Sequence, residues 1–481
     1  MRKYLILSLA AVLATIACTR TYRAVGDTHL TVFDHAHVQF LPDSLGGYTD
    51  ADAEGIVHLT NGRIILKKVQ IPDYKRKVDV KLTVRVESDG DRWDKSGSVF
   101  VIPANGPKVN ILSVAKGDAA WPEVDSTRYE KLVGTVPGPD FEPTVELMRF
   151  MTPFGVGYYS RRDTSTYRSR KPVYIDEWAP EAVWEADITD LYPLLKGEAW
   201  IGVFIDTWTA EGYLASVDID VKEDDCQYEP IPRGHVTPLV NTVYYVGQEY
   251  PDIFARKDLT VDFELPKFAS KASLRYIVTG HGGHSEGDEF TKQRNLVSVD
   301  GTPVLDFTPW RTDCSSFRRF NPTSGIWYLR NGQPVVTRRD GPRTPLSPDD
   351  VIREIASSDL SRSGWCPGSQ AEPYDAPLGE LAAGMHRVTI SIPDAQPMDG
   401  DKMNHWLVSA YLVWEEEVKR GGRFSAPAPG YRKPGSGRVR RRFQGEKTGN
   451  PFLPDSDRYG RRAGVPTPHG KRGHGWPAAD G

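Results

Sequence analysis

Long apolar segments, cysteines and helical patterns are all scarce in this sequence. Beyond the first 18 residues no apolar run approaches the about 18 residues that a helix needs to span a bilayer, which excludes a polytopic helical membrane protein. The 4 cysteines and 11 histidines form neither Cys-x-x-Cys nor His-Glu-x-x-His, which are spacings typical of zinc sites. The remaining composition is that of an ordinary globular chain, rich in Trp and Tyr and poor in Met.

The N-terminal segment MRKYLILSLAAVLATIAC contains the longest apolar run. Arg2 and Lys3 precede an apolar stretch too short to span a membrane, which predicts a signal peptide over residues 1–18. The cysteine directly after TIA resembles a bacterial lipoprotein processing site. Cys18 is therefore predicted to be lipidated and to anchor an exported protein to a membrane, in the periplasm, the outer membrane or at the cell surface. A plain signal peptide followed by a chance cysteine is the alternative.

Three cysteines remain if Cys18 carries the lipid. Because an exported chain permits disulfides and three is an odd number, one bonded pair and one free thiol is the simplest arrangement. Cys314 and Cys366 both lie in the C-terminal half, each beside a motif described below. We predict that these two are bonded and that Cys226 is free.

Charge is distributed unevenly along the chain. Residues 419–481 carry a net charge of +11, whereas the whole chain carries −4, which leaves −15 for the remainder. This tail is also rich in Gly and Pro and has too little apolar surface to form a core, so we predict a disordered basic tail. A solvated tail is favoured over a nucleic-acid reader.

Short alternating segments dominate the region between the two termini. They are KVDVKLTVRVES (77–88), SGSVFVIP (96–103), EAWIGVFIDTW (198–208), LASVDIDVK (214–222), KASLRYIVTG (271–280), HRVTISIP (386–393) and HWLVSAYLVWEEE (405–417). Alternation of apolar and polar residues with period two predicts half-buried strands. One helix is predicted, over residues 347–359 with Ser347 as its cap. Two β-sandwich domains are predicted, over 26–228 and 232–418, with the Pro-rich segment 226–238 between them.

The segment TGHGGHSEGDEF (279–290) is the most unusual local pattern. Its histidines, His281 and His284, have a spacing that two ligands of one metal ion could use, and HAH (35–37) would place two more rings on one strand face. The carboxylates Asp288 and Glu289 follow a glycine run, which permits close approach of a ligand and favours acid–base chemistry instead. Neither interpretation is specific by itself.

Carboxylates also stand beside tryptophans elsewhere in the chain. Asp94 follows Trp93 just before a predicted strand, and Asp206 precedes Trp208 by two positions, which predicts that both point to one strand face. In the C-terminal half, WRTDCSSFRRFNPTSG (310–325) and SRSGWCPG (361–368) would be held together by the predicted disulfide. Arg311, Asp313, Arg362 and Trp365 would then cluster, as a sugar site or as a structural patch.

These segments, in this order, resemble the peptide-N-glycosidase F family. The resemblance covers about residues 32–416 and is carried by RWDK (92–95), FMTPFGVG (150–157), DTWTAEGYLASVDID (206–220), TGHGGHSEGDEF and, most specifically, SGWCPG after an upstream DC. It implies an all-β fold of two adjacent eight-stranded antiparallel jelly-roll domains. It also implies an amidase that hydrolyses the asparagine–N-acetylglucosamine bond of N-linked glycans, needs no cofactor or metal, and acts as a monomer.

The resemblance carries over residue by residue. Asp94 corresponds to the principal catalytic aspartate, Glu289 to a glutamate that positions water, and Asp206 to a supporting carboxylate. Substrate contacts are implied for Trp93, Lys95, Trp208, His281, Arg362 and Trp365. Three of these positions depart from the family pattern: Asp206 replaces a glutamate, Lys95 an arginine, and His281 a tryptophan.

Two other functions are compatible with this pattern. A non-catalytic glycan-binding protein of the same fold would explain the changes at Asp206 and Lys95. A copper-dependent monooxygenase built from paired β-sandwiches would use the scattered histidines, but it needs a recognisable Met ligand motif, which this sequence lacks. Retention of all three carboxylates favours the amidase.

Overall fold

The computed structural model describes residues 21–162, 175–227, 230–249, 252–282, 287–335, 337–338, 341–342, 346–398 and 403–416. The predicted signal peptide with Cys18 and the predicted basic tail lie outside these residues and stay predictions. Within the described ranges, no helix is both long enough and apolar enough to cross a membrane.

Antiparallel strands make up nearly all of the regular structure in the described residues. The N-terminal half contains β1 (Thr28–Val38), β2 (Tyr48–Thr49), β3 (Ile56–Leu59), β4 (Ile64–Ile71), β5 (Val78–Ser88), β6 (Ser96–Pro103), β7 (Val145–Met151), β8 (Ala182–Asp187), β9 (Gly197–Ile205) and β10 (Tyr213–Glu223). Its short helices are α1 (Pro42–Leu45), α2 (Ile111–Lys116), α3 (Ser126–Tyr129) and α4 (Tyr192–Leu195).

The C-terminal half is built in the same way. It contains β11 (Gly234–Asn241), β12 (Leu259–Leu265), β13 (Ala269–His281), β14 (Asn295–Val299), β15 (Thr302–Phe307), β16 (Trp310–Arg311), β17 (Ile326–Arg330), β18 (Gln333–Val335), β19 (Thr337–Arg338), β20 (Gly341–Pro342), β21 (Ile352–Ala356), β22 (Arg362–Ser363), β23 (Gln370–Ala371), β24 (Tyr374–Leu381), β25 (Gly384–Ser391) and β26 (His405–Glu416). Short 3-10 helices occur at Thr60–Gly62, Thr189–Leu191, Ile253–Ala255, Cys314–Phe320 and Ser357–Asp359.

Each half forms its own pair of sheets. In the N-terminal half, sheet I has the strand order β1-β10-β5-β8 and sheet II the order β2-β3-β4-β9-β6-β7-β23. In the C-terminal half, sheet III has the order β11-β26-β13-β24 and sheet IV the order β12-β25-β14-β15. Strands distant in sequence lie side by side in each sheet, and the predicted all-β fold of two jelly-roll domains is confirmed. One strand of the C-terminal half, β23, completes sheet II beside β7.

Three apolar cores hold the sheets together. One core fills the N-terminal sandwich and also includes Ile277, Tyr411 and Val413 of the C-terminal half, and a second fills the C-terminal sandwich. The third joins Phe100 and Phe204 on the outer side of sheet II to Tyr244, Tyr245 and Leu407 of the C-terminal half. The first and third cores both contain side chains from the two halves and so pack the halves together, and the candidate site lies beside the third core.

The strands lie where they were predicted, but some of them are buried on both faces, whereas half-buried strands were predicted. β6 matches SGSVFVIP residue for residue, yet it is buried on both faces and not on one. Val99 and Val101 face the first core, whereas Phe100 and Ile102 face the third. β26 is likewise buried along almost its whole length. The second face of these strands is covered because the other half of the protein packs against it.

The predicted helix at 347–359 is wrong. Residues 352–356 form strand β21, which pairs with β17, and Ser347 does not cap a helix. The Asp350 carboxylate accepts hydrogen bonds from the Ser347 backbone N–H at 2.7 Å and the Asn331 amide at 2.9 Å. These bonds turn the chain, and pairing with β17 satisfies the backbone that a helix would have satisfied internally.

The predicted linker at 226–238 is partly a strand, because β11 begins at Gly234 and continues through Pro238. Pro238 precedes a register shift in the pairing with β26, a position that tolerates a residue without a backbone N–H. The domain limits of 26–228 and 232–418 stay predictions.

Candidate active site

A short loop between β5 and β6 carries Trp93, Asp94 and Lys95. Upstream, the Asp91 carboxylate is buried and accepts hydrogen bonds from the Thr207 hydroxyl at 2.8 Å and from the Trp93 backbone N–H at 3.0 Å. Because this carboxylate ties the loop to the end of β9, the backbone that presents Asp94 is held in one position.

The downstream side of the loop is held by Thr152. The Thr152 hydroxyl accepts a hydrogen bond from the Lys95 backbone N–H at 2.7 Å, and the Thr152 backbone N–H donates to the Lys95 carbonyl at 2.8 Å. Asp94 therefore projects from a backbone anchored on both sides. Its side chain is 17% exposed, so it is largely desolvated but still open to a ligand.

Arg362 lies between two carboxylates. Its Nε donates to Oε1 of Glu289 at 2.8 Å, and its Nη2 is 3.7 Å from Oδ2 of Asp94. The Arg362 side chain is only 2% exposed, and its Nη1 donates to the Leu360 carbonyl at 2.9 Å. One buried cation thus joins a loop of the N-terminal half to a loop of the C-terminal half.

Aromatic rings hold the Arg362 guanidinium in place. Its Cζ is 4.9 Å from the centre of the Trp365 ring and 5.1 Å from that of Phe290. The Trp365 indole is itself buried and donates to the Gly280 carbonyl at 2.9 Å. Contact between the rings and the cation limits its movement. Trp365, for which a substrate contact was predicted, lies behind Arg362 and not at the surface.

The loop that carries Glu289 is anchored by the preceding residue. The Asp288 carboxylate is fully buried and accepts hydrogen bonds from the Trp406 indole at 2.9 Å, the Gln293 amide at 3.1 Å and the Gln396 backbone N–H at 3.0 Å. Glu289 is further tied through its carbonyl, which accepts from the Ser363 N–H at 2.9 Å. Asp288 is therefore a structural carboxylate, whereas its neighbour faces Arg362.

Burial raises the pKa of both carboxyl groups that face Arg362. The pKa of Asp94 is raised by desolvation, although the charges of Arg362 and Lys95 oppose the rise. Desolvation raises the pKa of Glu289 from 4.5 to about 7; Arg362 opposes the rise and the negative charge of Asp94 adds to it. One guanidinium cannot neutralise two carboxylates, so the pair retains a proton more readily than isolated side chains do. Such a pair is suited to acid–base chemistry near neutral pH.

The raised pKa of Glu289 makes stability depend on pH. Because the folded protein holds a proton that the unfolded chain releases, this contribution is complete below pH 4.5 and is lost as pH rises through about 7. The unfolding free energy of the wild type should therefore fall between pH 4.5 and about 7. In Glu289→Gln, whose side-chain amide does not titrate, we expect this fall to be smaller by about 1 to 3 kcal/mol. Urea unfolding at several pH values measures this difference.

A matched control is Glu264→Gln, at an exposed position on β12. This variant should keep the pH dependence of the wild type. If the unfolding free energies of the wild type and Glu289→Gln changed with pH in the same way, the raised pKa of Glu289 would be contradicted.

Asp206 occupies a third position beside this pair. Its backbone N–H donates to the Ser96 carbonyl at 3.0 Å, which places it next to the Asp94 loop. Its Oδ1 accepts from Arg63 at 2.9 Å and its Oδ2 from the Tyr244 hydroxyl at 3.1 Å. Burial raises the pKa of Asp206, whereas Arg63, Lys95 and the Tyr244 hydroxyl oppose the rise.

The predicted placement of Asp206 and Trp208 on one strand face is wrong. β9 ends at Ile205, so both residues lie in the following loop, with Asp206 mostly buried and Trp208 51% exposed. Arg63 joins them nevertheless, because its Cζ is 4.3 Å from the Trp208 ring centre while it also binds Asp206. Phe40 packs against the indole at 5.1 Å.

Trp93 is a second exposed indole, at 50% exposure. Arg92 lies 4.8 Å from its ring centre, and Phe154 packs edge-on at 6.5 Å. Large exposed aromatic rings that are supported from behind are typical of surfaces that bind a flat apolar face, such as that of a sugar ring. Lys95, between the Trp93 loop and β6, is half-buried and its charge acts on both Asp94 and Asp206.

His281, the last residue of β13, lies in the interior. Its ring stacks between Trp365 at 5.6 Å and His405 at 5.1 Å, and its Nε2 is 2.8 Å from the Thr279 hydroxyl. Burial lowers the pKa of His281 well below its ordinary value, so the ring is neutral at neutral pH. It therefore supports Trp365 and does not project from the surface.

Among the described histidines considered as metal ligands, those of the HAH segment lie apart from His281. His35 and His37 are exposed on β1 and face Glu87 and Asp89, whereas His284 lies outside the described residues. In the described ranges, no group of three or more His, Cys, Asp or Glu side chains is arranged to hold a metal ion. The predicted Cys314–Cys366 disulfide is confirmed, with Cys226 free.

The disulfide brings the segments 310–325 and 361–368 together. The predicted cluster of the four side chains Arg311, Asp313, Arg362 and Trp365 does not form. Arg311 pairs with Arg362 through the β16–β22 ladder, while its side chain binds Asp313 through two hydrogen bonds of 2.7 Å. Arg362 faces Asp94 and Glu289 instead, and Trp365 packs behind it. Sequence reasoning missed Arg63, Asp91, Thr152 and Tyr244, since each is an ordinary residue until the fold places it next to a site residue.

Comparison with known proteins identifies the architecture. The family models described as "Peptide-N-glycosidase F, N terminal" and "Peptide-N-glycosidase F, C terminal" match residues 29–221 and 249–413. The protein named peptide-N(4)-(N-acetyl-beta-D-glucosaminyl)asparagine amidase F from Elizabethkingia miricola is 23% identical over 323 residues, covering 64% of this chain and 75% of that protein.

Solved structures agree with this assignment. The structure of PNGF-II has a TM-score of 0.67 and 34% identity and covers 81% of this chain; a second crystal form of PNGF-II gives the same TM-score at 32% identity. This chain spans 66% of the PNGF-II chain. The matched family models, the paired jelly rolls and the Asp94–Arg362–Glu289 group together mean that this chain belongs to the peptide-N-glycosidase F family.

Proposed function

We propose that this protein is an amidase that hydrolyses the bond between the asparagine side chain and the first N-acetylglucosamine of N-linked glycans. The observation that carries the proposal is the placement of Asp94 and Glu289 on either side of Arg362, both partly open to solvent. Binding alone requires hydrogen bonds and rings, whereas two desolvated carboxylates with raised pKa values are suited to moving protons.

The reaction requires two proton transfers. Water must lose a proton as its oxygen attacks the amide carbonyl carbon, and the nitrogen must gain one as the carbon–nitrogen bond breaks. We assign the first transfer to Asp94. Glu289, whose pKa of about 7 leaves it partly protonated at neutral pH, orients the water and returns a proton to the nitrogen. The products are an aspartate in the peptide and a glycosylamine, which water converts to the free sugar and ammonia.

The surrounding groups have supporting roles in this proposal. Arg362 is buried, so we assign it the positioning of the two carboxylates and not contact with the sugar. Lys95, half-exposed beside Asp94, supplies positive charge toward the developing oxyanion. The exposed indoles Trp93 and Trp208 supply the surface for the core N-acetylglucosamine residues.

The test is direct mass analysis of a denatured N-glycoprotein after incubation with the protein in isotopically labelled water. Release of the whole glycan, with aspartate replacing asparagine and one solvent oxygen in the new carboxyl group, is the expected result. A peptide that retains one N-acetylglucosamine would mean glycosidic cleavage and would overturn the proposal. Unchanged glycopeptides across a varied glycan panel, together with measurable glycan binding, would favour a non-catalytic glycan-binding protein.

A further inference from the structure

The Asp206 carboxylate is held by side chains from both halves of the protein. Arg63, in the N-terminal half, donates to Oδ1 at 2.9 Å, and Tyr244, in the C-terminal half, donates to Oδ2 at 3.1 Å. Each oxygen therefore has a donor, which defines the plane of the carboxylate. Lys95 is a further charged neighbour, which acts on the carboxylate through space.

Tyr244 is placed by the third apolar core. Its ring is 9% exposed and packs edge-on against Phe204 of β9 at 6.0 Å and against His405 of β26 at 6.0 Å. Because those contacts come from different halves, the hydroxyl reaches Asp206 only where the halves are packed together. The ring position is determined by packing, and the hydrogen bond follows from it.

The same arginine, Arg63, also joins the Asp206 carboxylate to an exposed ring. Arg63 and Tyr244 bind the carboxylate directly, and Arg63 also lies 4.3 Å from the Trp208 ring. The carboxylate and the exposed ring are thus positioned as one unit.

We propose that Tyr244 is a positioning residue for Asp206. Because Tyr244 and Asp206 come from different halves, the candidate active site is complete only when the two halves are packed together. This inference rests on the proposed function for its catalytic consequence, but not for the hydrogen bond itself. Tyr244 touches no substrate in this proposal and acts only through the Asp206 carboxylate. Loss of its hydroxyl should leave the fold intact and leave Asp206 with one donor fewer.

The neighbouring residue provides a matched control. Tyr245 is also a buried tyrosine of the third core, but its hydroxyl is 3.0 Å from the Ser98 hydroxyl and 3.3 Å from Glu146 and does not bind Asp206. We expect Tyr244→Phe to lower kcat/KM for glycan release on the order of tenfold and Tyr245→Phe to leave it nearly unchanged. In an Asp206→Asn background, Tyr244→Phe should add little further loss.

A titration separates positioning from general damage. The carbon-13 NMR signal of the Asp206 carboxyl, identified by its absence in Asp206→Asn, should titrate at a higher pH in Tyr244→Phe, because a hydrogen bond that favours the ionised form is lost. Tyr245→Phe should titrate as the wild type does. An unchanged pKa in Tyr244→Phe, or equal shifts in both variants, would overturn the inference.

The two proposals fail separately. A wild-type protein that releases no glycan would overturn the proposed function, and the titration alone would then decide whether Tyr244 positions Asp206. An active wild type in which both tyrosine variants lose activity equally would overturn the role of Tyr244 and leave the proposed function standing.

Discussion

Replacing Asp94 by asparagine is expected to lower glycan release by about a thousandfold or more while the protein stays folded. Asparagine has nearly the same shape but cannot accept a proton from water, so the first proton transfer is lost. Desolvation raises the pKa of Asp94, which means that its buried charge is unfavourable to folding near neutral pH. The thermal midpoint of Asp94→Asn should therefore match or exceed that of the wild type.

The control for this variant is Asp89→Asn, in the same loop. The Asp89 side chain is partly exposed beside His37, and no described hydrogen bond or ion pair joins it to Arg362 or Glu289. It should release glycan at the wild-type rate. Wild-type activity in Asp94→Asn would remove Asp94 from the mechanism, whereas equal losses in both variants would point to damage to the loop.

Replacing Arg149 by methionine is expected to destabilise the protein by about 3 to 5 kcal/mol. Arg149 and Glu146 on β7 are both almost completely buried, and Nη2 of the arginine is 2.7 Å from Oε2 of the glutamate. Nη1 also donates to the Leu407 carbonyl of β26 at 2.6 Å, so the pair joins the two halves. Without Arg149, the Glu146 charge would be left buried without a cation.

Comparison with two further variants isolates the cause. The double variant Glu146→Gln/Arg149→Met should regain much of the lost stability, because no buried charge remains unpaired. Arg294→Ala breaks an exposed ion pair with Asp306 and should leave the unfolding free energy nearly unchanged, because water already screens both charges. Urea unfolding measures all three, and a loss of less than about 1 kcal/mol in Arg149→Met would show that the pair is not needed to hold the halves together.

The strands were predictable because their side chains alternate locally. β6 and β10 lie where the alternating segments predicted them, since period two is a property of extended backbone itself. The segment at 347–359 misled because its apolar spacing also suits a helix. Pairing with β17 and the hydrogen bonds of Asp350 outweighed that local preference.

The candidate site was predictable only in part. Asp94, Glu289 and Arg362 stand out because a family resemblance marks their motifs, and the structure brings them together around one guanidinium. His281 and Trp365 belong to the same motifs, yet they form a buried stack behind Arg362. Exposure of a ring depends on which residues cover it, and those residues come from distant parts of the chain.

The all-β architecture, the positions of most strands, the Cys314–Cys366 pair and the motifs that carry the candidate carboxylates could all be predicted from the amino-acid sequence. These features depend on local periodicity, on the number of cysteines and on residue types that lie close together in the chain. Long-range packing, by contrast, buries the strands β6 and β7 of sheet II on both faces, places Arg362 between Asp94 and Glu289, and brings Tyr244 to Asp206. Each of these contacts joins residues far apart in sequence, and packing between the two halves brings them within hydrogen-bonding distance.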